Sequence, residues 1–252
     1  MPVLPIALAR DTIMECVFEM RFADPVPGVA DLLPGIVFGN LPGKFKNVAT
    51  LPLGQLPRIA REQNPQLKYM PTTALEGPQV RMMFGEYAVA VAFLKPYAGW
   101  AKVKPLILEC MNTAISSRLT GRPERYGLKF VNLLKEGRDA FDLDPTRVRI
   151  ELGGFALRSQ GTTGIHAEIE LNGCINIVDI GTGAKISIPG QPGEEVGVVI
   201  SVDTVRDSSG LDASTELPQV LETLHETEKE VFFGLLQGST IEKLGPRYPA
   251  TH

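Results

Sequence analysis

Residues 13–22 of this chain, IMECVFEMRF, alternate between apolar side chains and others. The apolar set is Met14, Cys16, Phe18, Met20 and Phe22, and the intervening charged residues are Glu15, Glu19 and Arg21. Because successive side chains of a β-strand point to opposite faces of a sheet, this period of two predicts a half-buried strand. The apolar face of such a strand must be covered by other elements, so we expect the chain to fold around a sheet.

Residues 124–134, ERYGLKFVNLL, alternate in the same way and carry Arg125 and Lys129 on the outer face. The first strand carries Glu15 and Glu19 on its own outer face. Opposite charges at facing positions of adjacent strands attract each other. We therefore predict that the two strands are neighbours in one sheet and that these charges pair across them.

Two segments have the period of an amphipathic helix. In the first, the apolar residues that recur at steps of three and four are Trp100, Val103, Ile107, Cys110 and Ala114. Trp100 is predicted to be a structural anchor, buried against strand 124–134 or a partner subunit. Pro105 predicts a kink or a helix that starts near Lys104.

The second amphipathic segment is near the end of the chain, and Ser214 can cap it. The polar residues between 222 and 230, including His225, are predicted to face water. Its buried stripe is predicted to contain Leu217, Val220, Leu221, Leu224, Val231 and Leu235.

The remaining segments complete an α+β pattern. Residues 24–75 are rich in proline and glycine, which predicts an irregular excursion with a short helix. Residues 79–95 predict a hairpin, and four later strand-like runs, beginning with RVRIELGGFA, predict an antiparallel meander. This order favours a largely antiparallel sheet, or sheets, with two main helices packed on one side. Residues 1–252 are expected to form a single compact unit, either undivided or as two halves, 1–135 and 136–252, that share a sheet.

Five blocks of the sequence, in order along the chain, resemble one family of proteins. They are ECVFEMRF after an N-terminal proline, PYAGW with the helix that follows it, RYGLKFVNLL, VVISVDTV and FFGLLQGSTIEKLGP. In these blocks, which together span nearly the whole chain, the sequence is similar to an uncharacterised, sporadically distributed family of prokaryotic proteins of about this length. The resemblance implies no particular activity, cofactor or catalytic residue.

The composition predicts a soluble, globular protein. Apolar residues make up 44% of the chain, and no apolar run approaches the roughly 18 residues of a membrane-spanning helix. Residues 1–11 lack the basic start of a secretion signal, and Cys16, Cys110 and Cys174 form no CxxC pair. Buried free thiols suit a reducing compartment, so we expect a cytoplasmic protein without a disulfide framework or a membrane association.

The strand GIHAEIEL holds the best candidate for a catalytic site. His166, Glu168 and Glu170 are two residues apart and project from one face of the strand, where an imidazole and two carboxylates could bind a metal or transfer a proton. A sheet face that only contacts water has the same alternation, which is the alternative interpretation of this pattern.

The metal and phosphate motifs that the sequence suggests are incomplete. His225 lacks the second histidine of HExxH, because Lys229 stands at that position, and GTGAKISIPGQPG lacks a GK[ST] ending. We therefore expect no cofactor and no dedicated metal site.

A basic segment is the candidate for binding. It contains Lys44, Lys46, Arg58, Arg61 and Lys68, with a single glutamate among them. Few aromatic side chains accompany these residues, and the net charge of the chain is −4. A nucleic acid is therefore not the expected partner.

These features favour a non-catalytic binding, adaptor or sensor protein that recognises a protein partner or a small ligand. The sporadic distribution of the resembled family suits an accessory system such as phage defence or toxin neutralisation, which is an argument by association. The alternative is a metal-assisted hydrolase centred on His166, Glu168 and Glu170. The sequence has no convergent set of catalytic residue types, which makes catalysis the less favoured hypothesis.

The charge distribution predicts a homo-oligomer. Residues 1–126 contain 14 Lys and Arg against 10 Asp and Glu, whereas residues 127–252 contain 11 against 19. Oppositely charged halves of two subunits attract each other, and salt screens exposed charges that are more than about 8 Å apart at physiological ionic strength. Light scattering across a salt series is expected to show an assembly that dissociates as salt rises, and a monomeric mass at low salt would contradict this expectation.

Overall fold

The computed structural model describes residues 3–78, 80–135, 143–153, 155–156, 162–187, 193–210 and 213–249. Its helices are α1 (Val29–Asn40), α2 (Arg58–Glu62), α3 (Trp100–Ser116), α4 (Ala213–Leu235) and α5 (Gly238–Lys243). Its strands are β1 (Ala7–Leu8), β2 (Ile13–Ala23), β3 (Asn47–Thr50), β4 (Thr73–Glu76), β5 (Arg81–Phe84), β6 (Ala88–Leu94), β7 (Arg122–Leu134), β8 (Glu151–Leu152), β9 (Phe155–Ala156), β10 (Gly164–Leu171), β11 (Cys174–Ser187), β12 (Glu194–Asp207) and β13 (Pro246–Arg247). The predicted α+β class is confirmed.

Nine of the strands form one antiparallel sheet in the order β10-β11-β12-β7-β2-β6-β5-β4-β3. The two alternating segments form β2 and β7, which lie side by side in the interior of the sheet, as predicted. β2 also pairs with β6, and β7 also pairs with β12. Both long strands are therefore hydrogen-bonded along both edges.

The charges on β2 and β7 do not pair as predicted. Glu19 lies opposite Gly127, and Lys129 lies opposite a valine. Glu19 instead accepts a hydrogen bond from Arg21 on its own strand at 2.6 Å. Lys129 faces Asp203 of β12. The prediction was wrong because an interior strand has two neighbours, and the second neighbour of β7 supplies the carboxylate.

The chain runs twice through the same order of elements. A long central strand is followed by an excursion, by a meander whose last strand pairs with the central strand, and by a helix. In the first pass these elements are β2, β4-β5-β6 and α3, and in the second they are β7, β10-β11-β12 and α4. Because β2 pairs with β7, the two passes meet within the sheet.

Helices α1, α3 and α4 pack on one face of the sheet, which agrees with the predicted one-sided arrangement. One apolar core contains fully buried side chains from these three helices and from the sheet. Among them are Phe18, Leu33, Ile107, Leu128 and Leu221. α1 is longer than the short helix expected and continues through Pro34, because burial of its apolar face outweighs the one hydrogen bond that the proline removes. Among the described residues, no helix is both long and apolar enough to cross a membrane.

Three local predictions differ from the structure. Of the two alternatives predicted at Pro105, the helix start near Lys104 is wrong and the kink stays a prediction: α3 begins at Trp100, because Gly99, at φ 89°, turns the chain directly into the helix. The excursion before residue 75 is not wholly irregular, since it adds β3 and β4 to one edge of the sheet. RVRIELGGFA does not join the meander, because β8 and β9 pair with each other.

The first turn of α4 is tied to the sheet by Glu216. Its carboxylate accepts hydrogen bonds from the Tyr126 hydroxyl at 3.1 Å, from the Ser208 hydroxyl at 2.9 Å and from the Ser209 backbone N–H at 2.7 Å. Burial raises the pKa of this carboxyl, but the donors outweigh burial and hold the pKa below its usual value. Glu216 is therefore ionised at neutral pH and fixes the start of the helix.

We expect Glu216→Gln to lower the free energy of unfolding by roughly 1 to 3 kcal/mol at pH 7, because an ionised acceptor of buried donors is lost. A carboxyl whose pKa is lowered by folding stabilises the folded state above its unfolded pKa, and this contribution disappears as the pH falls through the folded pKa. The difference from wild type in urea unfolding should therefore shrink below about pH 4. Glu242→Gln, at an exposed position of α5, is the control, and an equal loss in both variants would contradict the assignment.

Candidate functional site

A cavity of about 270 Å³ lies between the sheet and the helices. Residues of β2 and β7, the first turn of α3 and the second half of α4 line it, and residues 5–8 line a further side. Its walls are mainly apolar and include Ile6, Leu8, Ile13, Trp100, Phe130, Phe232 and Phe233. A concave apolar site with a few polar groups inside is the usual form of a small-molecule site.

The ring of His225 stacks on the ring of Trp100 at one side of this cavity. The ring centroids are 4.0 Å apart and the planes are within 6° of each other. Nε1 of Trp100 donates a hydrogen bond to Glu222 at 3.2 Å. Within the chain Trp100 is half-buried and packs on α4, so the predicted burial against β7 is wrong, while the alternative, burial against a partner subunit, stays a prediction. Trp100 packs on α4 because the flat imidazole of His225 faces the start of α3.

His225 is not on a solvated helix face as predicted, since its side chain is only 12% exposed. Burial lowers its pKa to about 3, and the nearby Lys229 adds to this effect. Nδ1 lies 3.4 Å from Glu226, but the contact lacks hydrogen-bond geometry, and this buried atom has no hydrogen-bond partner among the described residues. The imidazole is therefore neutral and has an unused polar atom.

Glu228 is the second buried polar group of the cavity. The residue is 4% exposed, and its Oε1 has no hydrogen-bond partner in the described part of the chain. Burial raises its pKa to about 8, even though Lys229 acts in the opposite direction. The carboxyl is therefore protonated at neutral pH, with one hydrogen to donate and one oxygen to accept.

Tyr97 supplies the third polar group. Its hydroxyl is buried without a hydrogen-bond partner among the residues described, and its ring meets Phe130 edge-on at 5.7 Å. Burial raises its pKa, and the neighbouring Cys16 and Glu228 raise it further. The phenol therefore stays neutral and can donate a hydrogen bond.

Other polar groups at the cavity already have partners. The Thr12 hydroxyl donates to Asn132 at 2.8 Å, and Lys229 pairs with Glu226 at 3.3 Å. The three neutral residues described above also line the cavity, and each has a buried polar atom without such a partner in the described part of the chain. A buried polar group without a partner costs about 1–3 kcal/mol, so a ligand that supplies those partners gains specificity from them.

The strand face predicted to be catalytic lies away from this cavity. His166, Glu168 and Glu170 are on β10, the edge strand, and share one face as the pattern predicts. His166 is 64% exposed, and its hydrogen bond with Asp179 of β11, 2.7 Å long, raises its pKa. The described carboxylates and imidazoles that approach closely enough to hold one ion do not include these three residues.

The residues of the predicted basic segment are divided between several surroundings. Lys44 pairs with a glutamate of α3 at 2.5 Å, and Lys46 is exposed just before β3. Arg61 and Lys68 line one groove, in which Lys68 lies over two tyrosine rings. The side chain of Arg58 lies outside the described part of the chain.

One turn of α4 places three possible metal ligands, Glu222, His225 and Glu226, within 4.8 Å of one another. Lys104 donates to Glu222, and Lys229 donates to Glu226. Two ammonium groups beside the set repel a cation and occupy both carboxylates. The arrangement therefore suits two ion pairs on either side of His225 better than it suits a metal centre.

The sequence patterns missed the cavity residues, although one signal was present. Glu228 falls between Leu224 and Val231 at steps of four and three, so it continues the buried stripe of α4. A carboxyl on such a stripe lies in the core. No comparable signal marks Tyr97, because it lies in the connection between β6 and α3, where no period applies.

We expect Glu228→Gln to raise the free energy of unfolding at pH 8 by about 1 to 3 kcal/mol. A carboxyl with a pKa of about 8 in the folded protein keeps a proton that the unfolded chain releases near its ordinary pKa. The stability of the wild type should therefore fall as the pH rises between those two values, whereas the amide does not titrate. Urea unfolding between about pH 5 and pH 8.5 measures both proteins, and parallel curves would contradict a protonated Glu228.

Comparison of the sequence with protein-family models, and with curated proteins, gave no match. Function is therefore inferred from the geometry of the cavity and from the protonation of its polar groups.

Proposed function

We propose that this protein is a non-catalytic binding protein for a small, neutral, largely apolar molecule that carries a hydroxyl or carbonyl group. The ligand occupies the cavity between the sheet and the helices. The observation that carries this proposal is the convergence of Tyr97, His225 and Glu228, three buried polar groups without partners among the described residues, on a cavity with aromatic walls.

The dimensions of the cavity favour a ligand with a single ring. Its volume is about 270 Å³, and one water molecule takes up about 30 Å³ of the liquid, so the space suits an organic molecule of roughly ten non-hydrogen atoms. Trp100, Phe130 and Phe232 line the space. Aromatic side chains prefer stacked or edge-on contacts with another ring, which favours a planar ligand.

The charges around the cavity favour a neutral ligand. Tyr97, His225 and Glu228 are all uncharged at neutral pH, for the reasons given above. The charged residues of the lining are Lys229 and Asp11. Glu226 already pairs with Lys229, and Asp11 accepts hydrogen bonds from the backbone N–H groups of Ile13 and Tyr97. A charged ligand would lose its hydration and meet only charges that already have partners, which is costly in an apolar site.

A non-catalytic role is favoured because no activated nucleophile accompanies the cavity in the part of the chain that the structure describes. Cys16 is the neighbouring thiol, and burial raises its pKa well above the usual value, with Glu228 and Glu15 acting in the same direction. It stays a thiol and is unreactive. A protonated carboxyl beside a phenol could transfer a proton, so turnover of a bound ligand is the outcome that would replace this proposal with an enzymatic one.

The probe for this proposal is 4-methylphenol, which has the required ring and hydroxyl. Trp100 is the only tryptophan of the chain and lines the cavity, so its fluorescence reports on occupancy. We expect a saturable change with 4-methylphenol and a Kd at least about tenfold higher for toluene, which has no hydroxyl, and for 4-methylbenzoate, which is charged. Isothermal titration calorimetry provides the independent measurement.

Matched variants test the polar contacts. Tyr97→Phe and Glu228→Leu should each weaken the binding of 4-methylphenol by about tenfold, which is the value of one hydrogen bond, and leave the binding of toluene unchanged. Glu228→Gln should bind it like wild type, because an amide donates and accepts as the protonated carboxyl does. Tyr248→Phe, at a residue that is 50% exposed, should bind like wild type. Equal affinity for 4-methylphenol and toluene, or unchanged affinity in both Tyr97→Phe and Glu228→Leu, would refute the proposal.

A further inference from the structure

A second, polar pocket lies at the other end of β2, where β2 and β7 approach the loop that follows β12. Its volume is about 610 Å³, and its lining includes Arg21, Arg122, Arg125 and Tyr69. The loop residues 208–210 close one side. This pocket shares no residue with the apolar cavity, and the inference below does not depend on the function proposed for that cavity.

Two arginines of this pocket face each other across the sheet. Arg21 of β2 and Arg125 of β7 are directly opposed in the register of the two strands. Like charges at facing positions of adjacent strands repel each other and destabilise the pair. An anion placed between the two guanidinium groups would turn that repulsion into two attractive contacts.

A β-bulge brings a third arginine to the same face. Residues 122 and 125 are three apart and would point to opposite faces of a regular strand. The register shifts between Arg21 and Phe22, so that Arg125 faces Arg21 while Arg122 faces Ala23. Since Arg21 and Ala23 lie on one face of β2, Arg122 and Arg125 lie on one face of β7, and bulges often re-aim side chains in this way beside functional sites.

The guanidinium of Arg21 is held in place by contacts, and that of Arg125 is incompletely paired among the described residues. The Nε of Arg125 is buried and has no hydrogen-bond partner among the described residues. Arg21 donates through Nε to Glu19 at 2.6 Å, its guanidinium lies 4.3 Å from the centre of the Tyr69 ring, and the residue lines the pocket.

Two acidic residues also line the pocket, Glu124 and Asp207. Asp207 lies opposite Arg125 in the register of β7 and β12, yet within the described residues no ion pair joins either carboxylate to Arg122 or Arg125. In the lining itself three guanidinium groups stand against two carboxylates, and two further carboxylates act on them from outside the lining, Glu19 on Arg21 and Asp203 on Arg21 and Arg125.

We propose that this pocket binds a phosphate group, either as inorganic phosphate or as the terminal group of a small organic ester. The planar fork of a guanidinium matches the spacing of two phosphate oxygens, which makes arginine the usual residue for such a group. Arg21 and Arg125 contact it from the two strands, and Arg122 contacts it from beyond the bulge.

Isothermal titration calorimetry and thermal unfolding with sodium phosphate, against sodium chloride at equal ionic strength, test the proposal. We expect saturable binding and a melting temperature that rises with phosphate and not with chloride. Arg125→Gln should weaken phosphate binding at least about tenfold and, without phosphate, should melt no lower than wild type, because the repulsion with Arg21 is removed. A merely structural role for Arg125 would lower the melting temperature instead.

Arg122→Gln tests the same site without altering the opposed pair and should also weaken binding. Arg81→Gln is the control, since Arg81 lies on the same sheet but pairs with Glu76 at 3.2 Å, and it should bind like wild type. Tighter binding of phenyl phosphate than of inorganic phosphate would identify an organic ester as the ligand, and equal binding would identify phosphate itself. Equal stabilisation by chloride and phosphate, or unchanged binding in both pocket variants, would overturn the proposal.

Discussion

The antiparallel pairing of β2 with β7 is the interaction on which the rest of this structure depends. Each strand has its second edge occupied by the last strand of its own meander, so one register aligns both halves of the sheet. A slip of one residue would turn Phe18 and Leu128 from the helices to the other face, which the burial of both side chains opposes. The three long helices cover the face that this register creates.

Both candidate sites lie where this pairing becomes irregular. The register shifts once between Ile13 and Glu15, at the apolar cavity, and once between Arg21 and Phe22, at the arginine pocket. Between the shifts the pleat is regular, and side chains alternate between the core and the open face. A bulge breaks that alternation, so the ends of the central pair are the places where side chains from both strands can converge on a ligand.

Two glutamates of α4 show how the surroundings decide the chemistry of one side chain. Glu216 is buried at the start of the helix, but three donors hold it ionised. Glu228 is buried three turns later without a donor for its Oε1 among the described residues, and burial alone keeps it protonated. The first carboxyl serves the fold because its bonds are satisfied. The second lines the apolar cavity and has a hydrogen bond that the described residues do not satisfy.

The sequence by itself determined the elements that follow a strict period: the neighbouring strands β2 and β7, the hairpin β5-β6, the meander β10-β11-β12 and the apolar stripe of α4. A period shows which side of an element is buried, because burial of apolar area drives folding. It does not show which element covers that side, so Trp100 was assigned to β7 or a partner subunit, whereas within the chain its ring stacks on His225 of α4. The two sites depend on bulges, on a connection without a period and on unpaired atoms such as Arg125 Nε. Only the tertiary structure decided them, because whether a buried polar atom has a partner depends on residues that are distant in the chain.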